Sequence, residues 1–268
     1  MIKRLILVCM VVLLAAPFVS AQLWKMKRYE ATAGLGTSQF YGDIGGFSLG
    51  KNAIGFKDIT FKQTRFNVNG SFRYYFTDNV AARLSFSYIM LYATDVRGSN
   101  ELRNYAAVTS LFEPLLVGEY YVVRNRERNS FLFQTYRGRA RNRLKDFFRS
   151  LDVYAMTGVG GAGFNVHGND KLEQRWSVNP EQQSHGFIAV IPVGLGVKLA
   201  FDPNILLGVE LAGRYTFSDF LDGYDPDVPL PADPDYRLRS LRNDVYHTFS
   251  VTFNYRIKTA RNGLPSFR

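Results

Sequence analysis

Nine lysine and arginine residues stand between Arg124 and Arg149, against two acids. They are Arg124, Arg126, Arg128, Arg137, Arg139, Arg141, Arg143, Lys145 and Arg149. A cluster of this kind binds nucleic acid, holds anionic lipid headgroups or steers an acidic protein partner. Phe131, Phe133, Tyr136, Phe147 and Phe148 are interleaved with the charges, and Leu144, Phe147, Phe148 and Leu151 fall at helical spacing. A short amphipathic helix there would set an apolar stripe beside the cations; the plainer alternative is a solvated basic turn. A second concentration has the opposite sign. Asp219, Asp222, Asp225, Asp227, Asp233 and Asp235 follow one another with no Lys or Arg between them. Carboxylates at that density could supply oxygens to calcium. The spacing lacks the glycine and terminal glutamate of an EF-hand loop, and Pro226, Pro229, Pro231 and Pro234 stiffen it, so a solvated extended loop is favoured. His167, His185 and His247 are the histidines available as general bases, and no nucleophile–histidine–carboxylate set stands at recognisable spacing. Residues 158–163 match G-x-G-x-x-G, but a dinucleotide site needs a helix to follow, and Phe164-Asn165-Val166-His167-Gly168-Asn169 reads as a turn. The expectation is no enzyme, no cofactor and no metal.

The chain that must position these groups begins as an export signal. Lys3 and Arg4 precede an uncharged apolar run from Leu5 to Ala16, and Val19-Ser20-Ala21 ends in small residues. Residues 1–21 are expected to be a cleaved signal peptide, with 22–268 the mature chain. The run is short for a membrane anchor. Cys9 lies inside the signal, with Val8 before it where a lipoprotein wants a small residue, so the mature chain has no cysteine and no disulfide. Loss of Lys3 and Arg4 lowers the formal charge from +10 to +8, and the 124–149 stretch accounts for +7 of that. A balanced chain with one basic segment argues for a local contact, and an exported chain meets no nucleic acid.

Beyond residue 28 the dominant period is two. Phe66, Val68, Gly70, Phe72, Tyr74 and Phe76 share one face, opposite Arg65, Asn67, Asn69, Ser71 and Arg73. After Thr77-Asp78-Asn79 the alternation resumes through Tyr92. Similar stretches run over 29–41, 106–123, 151–164, 187–201, 205–217 and 245–257. Soluble strands average about five or six residues, whereas these run to about thirteen, beyond the roughly 9–11 a tilted membrane strand needs. Eight such strands predict an all-β fold: an eight-stranded antiparallel transmembrane β-barrel of the outer-membrane type, since only closure satisfies every backbone group in lipid. Aromatics at 15% suit two interfacial girdles. A soluble lipocalin-like barrel would turn its apolar face inward. The polar faces collect Glu30, Arg65, Arg73, Arg83, Glu113, Glu119, Lys198, Glu210, Arg214 and Arg256. An interior of this size is just wide enough to be filled by side chains, so a salt-bridged lumen and no open pore are expected.

Connections alternate in length: 42–63, 165–186 and 218–244 are long, 77–79 and 202–204 short. Barrels of this type keep short turns in the periplasm and long loops outside. By parity the connection 124–150 is periplasmic, joined there by Lys25, Lys27 and Arg28 before the first strand and Lys258, Arg261 and Arg268 after the last. The acidic loop 218–244 lies at the outer end. The pattern leaves a short extra hairpin around Phe131–Tyr136 open.

Tyr41-Gly42-Asp43, Arg103-Asn104 with Glu113 and Glu119, Ile191-Pro192-Val193-Gly194-Leu195-Gly196, and Arg214-Tyr215-Thr216-Phe217-Ser218-Asp219-Phe220-Leu221-Asp222 together resemble the PorG-like outer-membrane barrels of Bacteroidetes, in the right order over residues 29–257. Tyr105-Ala106 and Gly223-Tyr224-Asp225-Pro226 depart from that pattern. The resemblance implies a non-enzymatic barrel in the cell outer membrane. It implies a role as an accessory to type IX protein secretion, contacting a periplasmic ring made of a lipoprotein and its partner protein. On that reading Arg124, Arg126, Arg128, Arg137, Arg139, Arg141, Arg143, Lys145 and Arg149 meet acidic partner surface, and Phe131, Phe133, Tyr136, Phe147 and Phe148 supply buried area. The partners are then membrane lipid and a periplasmic protein, with no small-molecule substrate. Two other classes stay open: a surface-adhesion barrel using the long outer loops, and a lipid-modifying enzyme using a histidine.

Overall fold

A computed structural model describes residues 27–44, 61–97, 104–124, 148, 150–178, 184–224, 244–260 and 264–266. The signal segment, most of the 124–150 connection and the 131–136 stretch lie outside the described residues.

Long alternating segments become long strands: β1 (Tyr29–Tyr41), β2 (Arg65–Tyr75), β3 (Val80–Thr94), β4 (Ala106–Val123), β5 (Leu151–Gly168), β6 (His185–Ala200), β7 (Ile205–Thr216) and β8 (Val245–Thr259). Each pairs antiparallel with its sequence neighbour, and β1 pairs with β8, so the sheet closes. A two-residue β9 (Pro265–Ser266) pairs only with the end of β8. Following paired residues from Tyr29 through Tyr74, Ala82, Gly118, Thr157, Val193, Gly213 and His247 returns to β1 at Gln39, a stagger of ten residues. Closing eight strands with such a stagger requires tilted strands, about 35–45° from the axis.

Alternation then decides the two surfaces. Phe66, Val68, Phe72, Leu84, Phe86, Phe112, Leu116, Val193, Leu195, Leu211, Val251 and Phe253 point outward and are exposed, Leu195 at 62%. An apolar belt on the outside with charge inside is the arrangement a bilayer demands and water penalises. Among the described residues no helix is long and apolar enough to cross a membrane. The fold is an eight-stranded antiparallel barrel of the outer-membrane type with a filled lumen.

The glycine-rich part of β5 has a specific cause. The β4–β5 ladder lapses between Phe112/Gly163 and Leu115/Gly160, and the β5–β6 ladder between Thr157/Val193 and Gly160/Val190. Pro114 and Pro192 stand beside these gaps, where a missing N–H costs no ladder bond. A Cβ on Gly158 would collide with the Leu116 carbonyl oxygen, and one on Gly160 with that of Pro114. The G-x-G-x-x-G match is a site of close backbone approach in a strand, and the close approach is to the neighbouring backbone as well as to lumenal side chains.

Three expectations need correction. β5 runs to Gly168 instead of 164, so His167 lies in β5 and His185 opens β6, neither in a loop. The connection expected at 165–186 holds a helix, α1 (Asp170–Val178). Arg65 is not part of the lumenal network: at the outer end of β2 it donates to the Lys62 and Thr64 carbonyls and stacks over Tyr92, 4.2 Å from the ring centroid.

Candidate functional site

The lumen divides into two ionic clusters. In the inner one Arg73, fully buried, binds Glu119 bidentately at 2.6 and 2.9 Å and also donates to Glu30. Lys198 Nζ lies 2.6 Å from Glu30 Oε1, and Arg256 bridges Glu30 at 3.6 Å and Asp152 at 2.7 Å. Arg83 reaches Glu119 at 3.1 Å and, across the lumen, Glu210 at 2.6 Å. Three tyrosines complete the set: Tyr75 donates to Glu30 at 2.8 Å, Tyr121 to Glu119 at 2.9 Å, and Tyr154 to Glu210. A Cβ at Gly196 would strike the Tyr154 ring, so that glycine makes room for it.

The outer cluster is smaller. Arg214 Nε lies 2.9 and 3.0 Å from the two Glu113 oxygens, Tyr246 donates to Glu113, and Arg214 donates to Thr248. Five described lumenal cations (Arg73, Arg83, Lys198, Arg214, Arg256) face five carboxylates (Glu30, Glu113, Glu119, Asp152, Glu210). Between the clusters, beside Arg83, Glu210 and Arg214, is a cavity of about 20 Å³, room for about one water. Described side chains otherwise fill this part of the lumen.

The end carrying the short turns is floored by side chains. Arg124 Cζ lies 4.3 Å from the Tyr75 ring centroid and 4.9 Å from that of Tyr121. Its Nη1 donates to the carbonyls of Thr77, at 3.4 Å, and of Asp78. Asn79 Nδ2 donates to the Tyr121 carbonyl at 2.8 Å. Lys27 Nζ donates to the Pro203 carbonyl at 2.7 Å, and Arg28 to Tyr74 Oη at 2.9 Å.

The opposite end carries a feature the sequence did not announce. The beginning of 218–244 is not a solvated loop. It folds into the mouth, burying Leu221, Asp222 and Tyr224 against Ile44 and Leu172 of α1. Asp222 accepts from the Ile44 and Tyr224 amides, both at 2.9 Å, and Asp244 from the Leu221 amide at 2.8 Å. Gly223 takes a positive φ of 73°, and its carbonyl accepts from Trp176 Nε1 at 2.7 Å. Arg175 covers Tyr224, 4.5 Å from its ring centroid, and Tyr105 packs on the other side at 5.6 Å. Burial, then the neighbouring Asp222, Asp219 and Asp43, holds the Asp244 carboxyl well above the usual carboxylate range. Two elements singled out above, Tyr41-Gly42-Asp43 and the stretch ending at Asp222, thus meet in this cap. The available signal was Phe220-Leu221, an apolar pair in an acidic loop, followed by a glycine.

Of the basic candidates, Arg124 and Phe148 are described. Arg124 is engaged as above, and Phe148 is 65% exposed. Arg126, Arg128, Arg137, Arg139, Arg141, Arg143, Lys145, Phe147 and Arg149 lie outside the described residues, as do Asp225, Asp227, Asp233 and Asp235. His167 and His185 lie on the paired strands β5 and β6, with Asn165 opposite His185, and His247 lies on β8. His247 faces outward against Tyr41, with ring centroids 5.0 Å apart, and His185 Nδ1 stands 3.4 Å from the adjacent Ser184 hydroxyl. Among the described residues no group of three His, Cys, Asp or Glu is arranged to hold a metal.

One family profile, described as a domain of unknown function (DUF6089), matches residues 143–259. No curated protein matches the chain. Similar solved structures are outer-membrane barrels. The N-terminal β-barrel domain of Pseudomonas aeruginosa OprF is 12% identical with a TM-score of 0.37, covering 85% of this chain and 97% of that one. Ail, the attachment invasion locus protein of Yersinia pestis, is 12% identical with a TM-score of 0.39, covering 86% and 99%. Neisserial surface protein A is 10% identical with a TM-score of 0.40, covering 86% and 97%. At these values the likenesses add nothing to what the strand pairing displays directly.

Proposed function

We propose that this protein is a non-enzymatic anchor in the cell outer membrane, holding a periplasmic assembly through the basic connection 124–150, and that the assembly is the type IX protein secretion machinery. The observation that carries the reading is the closure of the barrel at every described level: a floor at Arg124, a charge-balanced lumen and a stapled cap. A barrel whose described lumen is filled by paired side chains offers its two ends for contact. The connection 124–150 interrupts the rule of short turns at its end and carries the chain's surplus charge, which suits electrostatic steering onto an acidic surface. The order of motif elements shared with PorG-like barrels supports the specific machinery.

The test is crosslinking and capture from intact outer membranes. The native chain is compared with one carrying Arg137→Glu, Arg139→Glu, Arg141→Glu and Arg143→Glu. Capture of a periplasmic or lipoprotein partner by the native chain, lost in the folded variant and weakened by salt, is the expected result. Equal capture by both, or binding indifferent to salt, overturns the role of the basic connection; capture abolished only by outer-loop deletion would favour a surface-adhesion barrel.

A further inference from the structure

The first residue of the basic connection is held in a manner unlike a solvated arginine. Its guanidinium lies against two aromatic rings, Tyr75 at 4.3 Å and Tyr121 at 4.9 Å, while Nη1 reaches over the β2–β3 turn to the Thr77 and Asp78 carbonyls. Three strands therefore meet on one side chain: Tyr75 ends β2, Tyr121 lies near the end of β4, and the turn leads into β3. The pairing of β4 with β5 shifts register between Tyr121 and Val123 and ends at Val123↔Val153, immediately before Arg124, so Arg124 is the first residue that the ladder no longer holds. The two tyrosines are themselves fixed from inside. Their hydroxyls lie 3.1 Å apart, Tyr75 is bonded to Glu30, and Tyr121 to Glu119 and, at 3.0 Å, to Lys198.

We infer that Arg124 is a clasp, a positioning residue that fixes the root of the basic connection to the barrel floor, and that the lumenal ionic cluster sets the clasp through Tyr75 and Tyr121. Its importance for docking rests on the function proposed above; the clasp itself does not. The arrangement gives the filled lumen a second use. A rigid lumen is a rigid mount for the two rings, and a fixed attachment point at Arg124 lowers the ordering cost of meeting a partner.

The experiment uses the full chain in outer-membrane vesicles opened to the periplasmic face, with native, Arg124→Ala and Arg124→Lys forms. Chymotrypsin is chosen because Phe131, Phe133, Tyr136, Phe147 and Phe148 are its sites and Arg124 is not. Loss of stacking and carbonyl contacts should raise the rate of cutting in the connection roughly tenfold in Arg124→Ala, with Arg124→Lys intermediate because it keeps the charge but not the planar fork. The barrel's resistance to urea should be unchanged, which separates a clasp from a general fold defect. Cutting rates equal to native in both variants overturn the clasp. Faster cutting with undiminished partner capture upholds the clasp and overturns its part in docking. No capture even by the native chain refutes the docking function and leaves the clasp to be judged on cutting alone.

Discussion

Replacing Arg73 with methionine tests whether the lumen is held as a charge-balanced unit. Arg73 is fully buried and touches three carboxylates: Glu119 bidentately, Glu30, and Glu210 at 3.7 Å. Removing it leaves four described lumenal cations against five carboxylates, all beyond the reach of bulk water. Breaking a buried pair from one side costs about 3–5 kcal/mol. Glu119 keeps Arg83 and Tyr121, and Glu30 keeps Lys198 and Arg256, so the loss should lie at the lower end, about 3 kcal/mol. Against a total stability of about 5–15 kcal/mol that is large. The second arm is Arg73→Met with Glu119→Gln, which restores balance at four and four. Replacing a whole buried pair is often neutral, so the double variant should recover at least about 1 kcal/mol relative to Arg73→Met, a favourable coupling between sites in contact. Urea unfolding of the barrel refolded into phospholipid vesicles, read by the electrophoretic shift between folded and unfolded chain, gives both numbers. The reasoning fails if Arg73→Met lies within about 1 kcal/mol of native, or if the double variant loses as much as the two single variants added together.

Four further outcomes follow from the same geometry. Leu195, exposed on the outside near the middle of β6, should cost about 2–4 kcal/mol as arginine in vesicles, and a loss near zero would place this face in water. Asp222→Ala strands the Ile44 and Tyr224 amides, each worth about 1–3 kcal/mol when buried; proton exchange at these two amides should quicken while lumenal strand amides stay protected. Asp244, in the cap outside the membrane-spanning strands, has a folded pKa raised above its unfolded value. Its contribution is complete below the unfolded value near 4 and is lost as pH rises through the folded one, so acrylamide quenching of Trp176 in a Trp24→Phe background should increase with pH, and Asp244→Asn should flatten that dependence. The native protein in a planar bilayer should show no discrete conductance steps, because paired lumenal side chains fill the described lumen and leave a cavity of about 20 Å³ between the two clusters.

The barrel was legible because its wall obeys one rule. The β2–β3 hairpin has apolar outward positions, polar inward positions and a three-residue turn, and each residue's facing could be read by counting in twos. The rule lapses where lipid ends. Asn165 and His167 continue the outward face of β5, but above the bilayer that face has no reason to be apolar, so the stretch read as a turn. Helix α1 was hidden for a related reason. Its two anchoring residues, Leu172 and Trp176, are set among charged ones, although Asn169 Oδ1 accepts from the Leu172 amide at 3.2 Å, an N-cap that marks its start. The lumenal charges expected, other than Arg65, lie in the lumen, but Asp152, which pairs with Arg256 at 2.7 Å, was missed, and none of the pairs was legible. Arg83 and Glu210 sit on β3 and β7 and meet across the barrel; such a pairing is fixed by stagger and closure, which no local spacing encodes.

Where the charges are spent bears on where recognition can occur. A buried ion pair contributes little net stability and tolerates few vacancies, and each of the five described lumenal cations is paired with at least one of the five described carboxylates. In the cap Asp222 and Asp244 accept from backbone amides, which fixes the mouth. Arg124 is committed to two tyrosines and a turn. Charge that serves internal closure cannot also serve a partner without an exchange of hydrogen bonds, and such an exchange inside a rigid barrel is costly. Recognition is therefore expected from the 125–149 connection and from the outer loops. The first carries one-sided positive charge, nine lysines and arginines against two acids between Arg124 and Arg149, and the outer loop 218–244 carries a run of aspartates of the opposite sign. Neutralising that connection while leaving Arg124 and the lumen intact is the perturbation that separates a docking platform from a barrel whose contacts lie outside the cell.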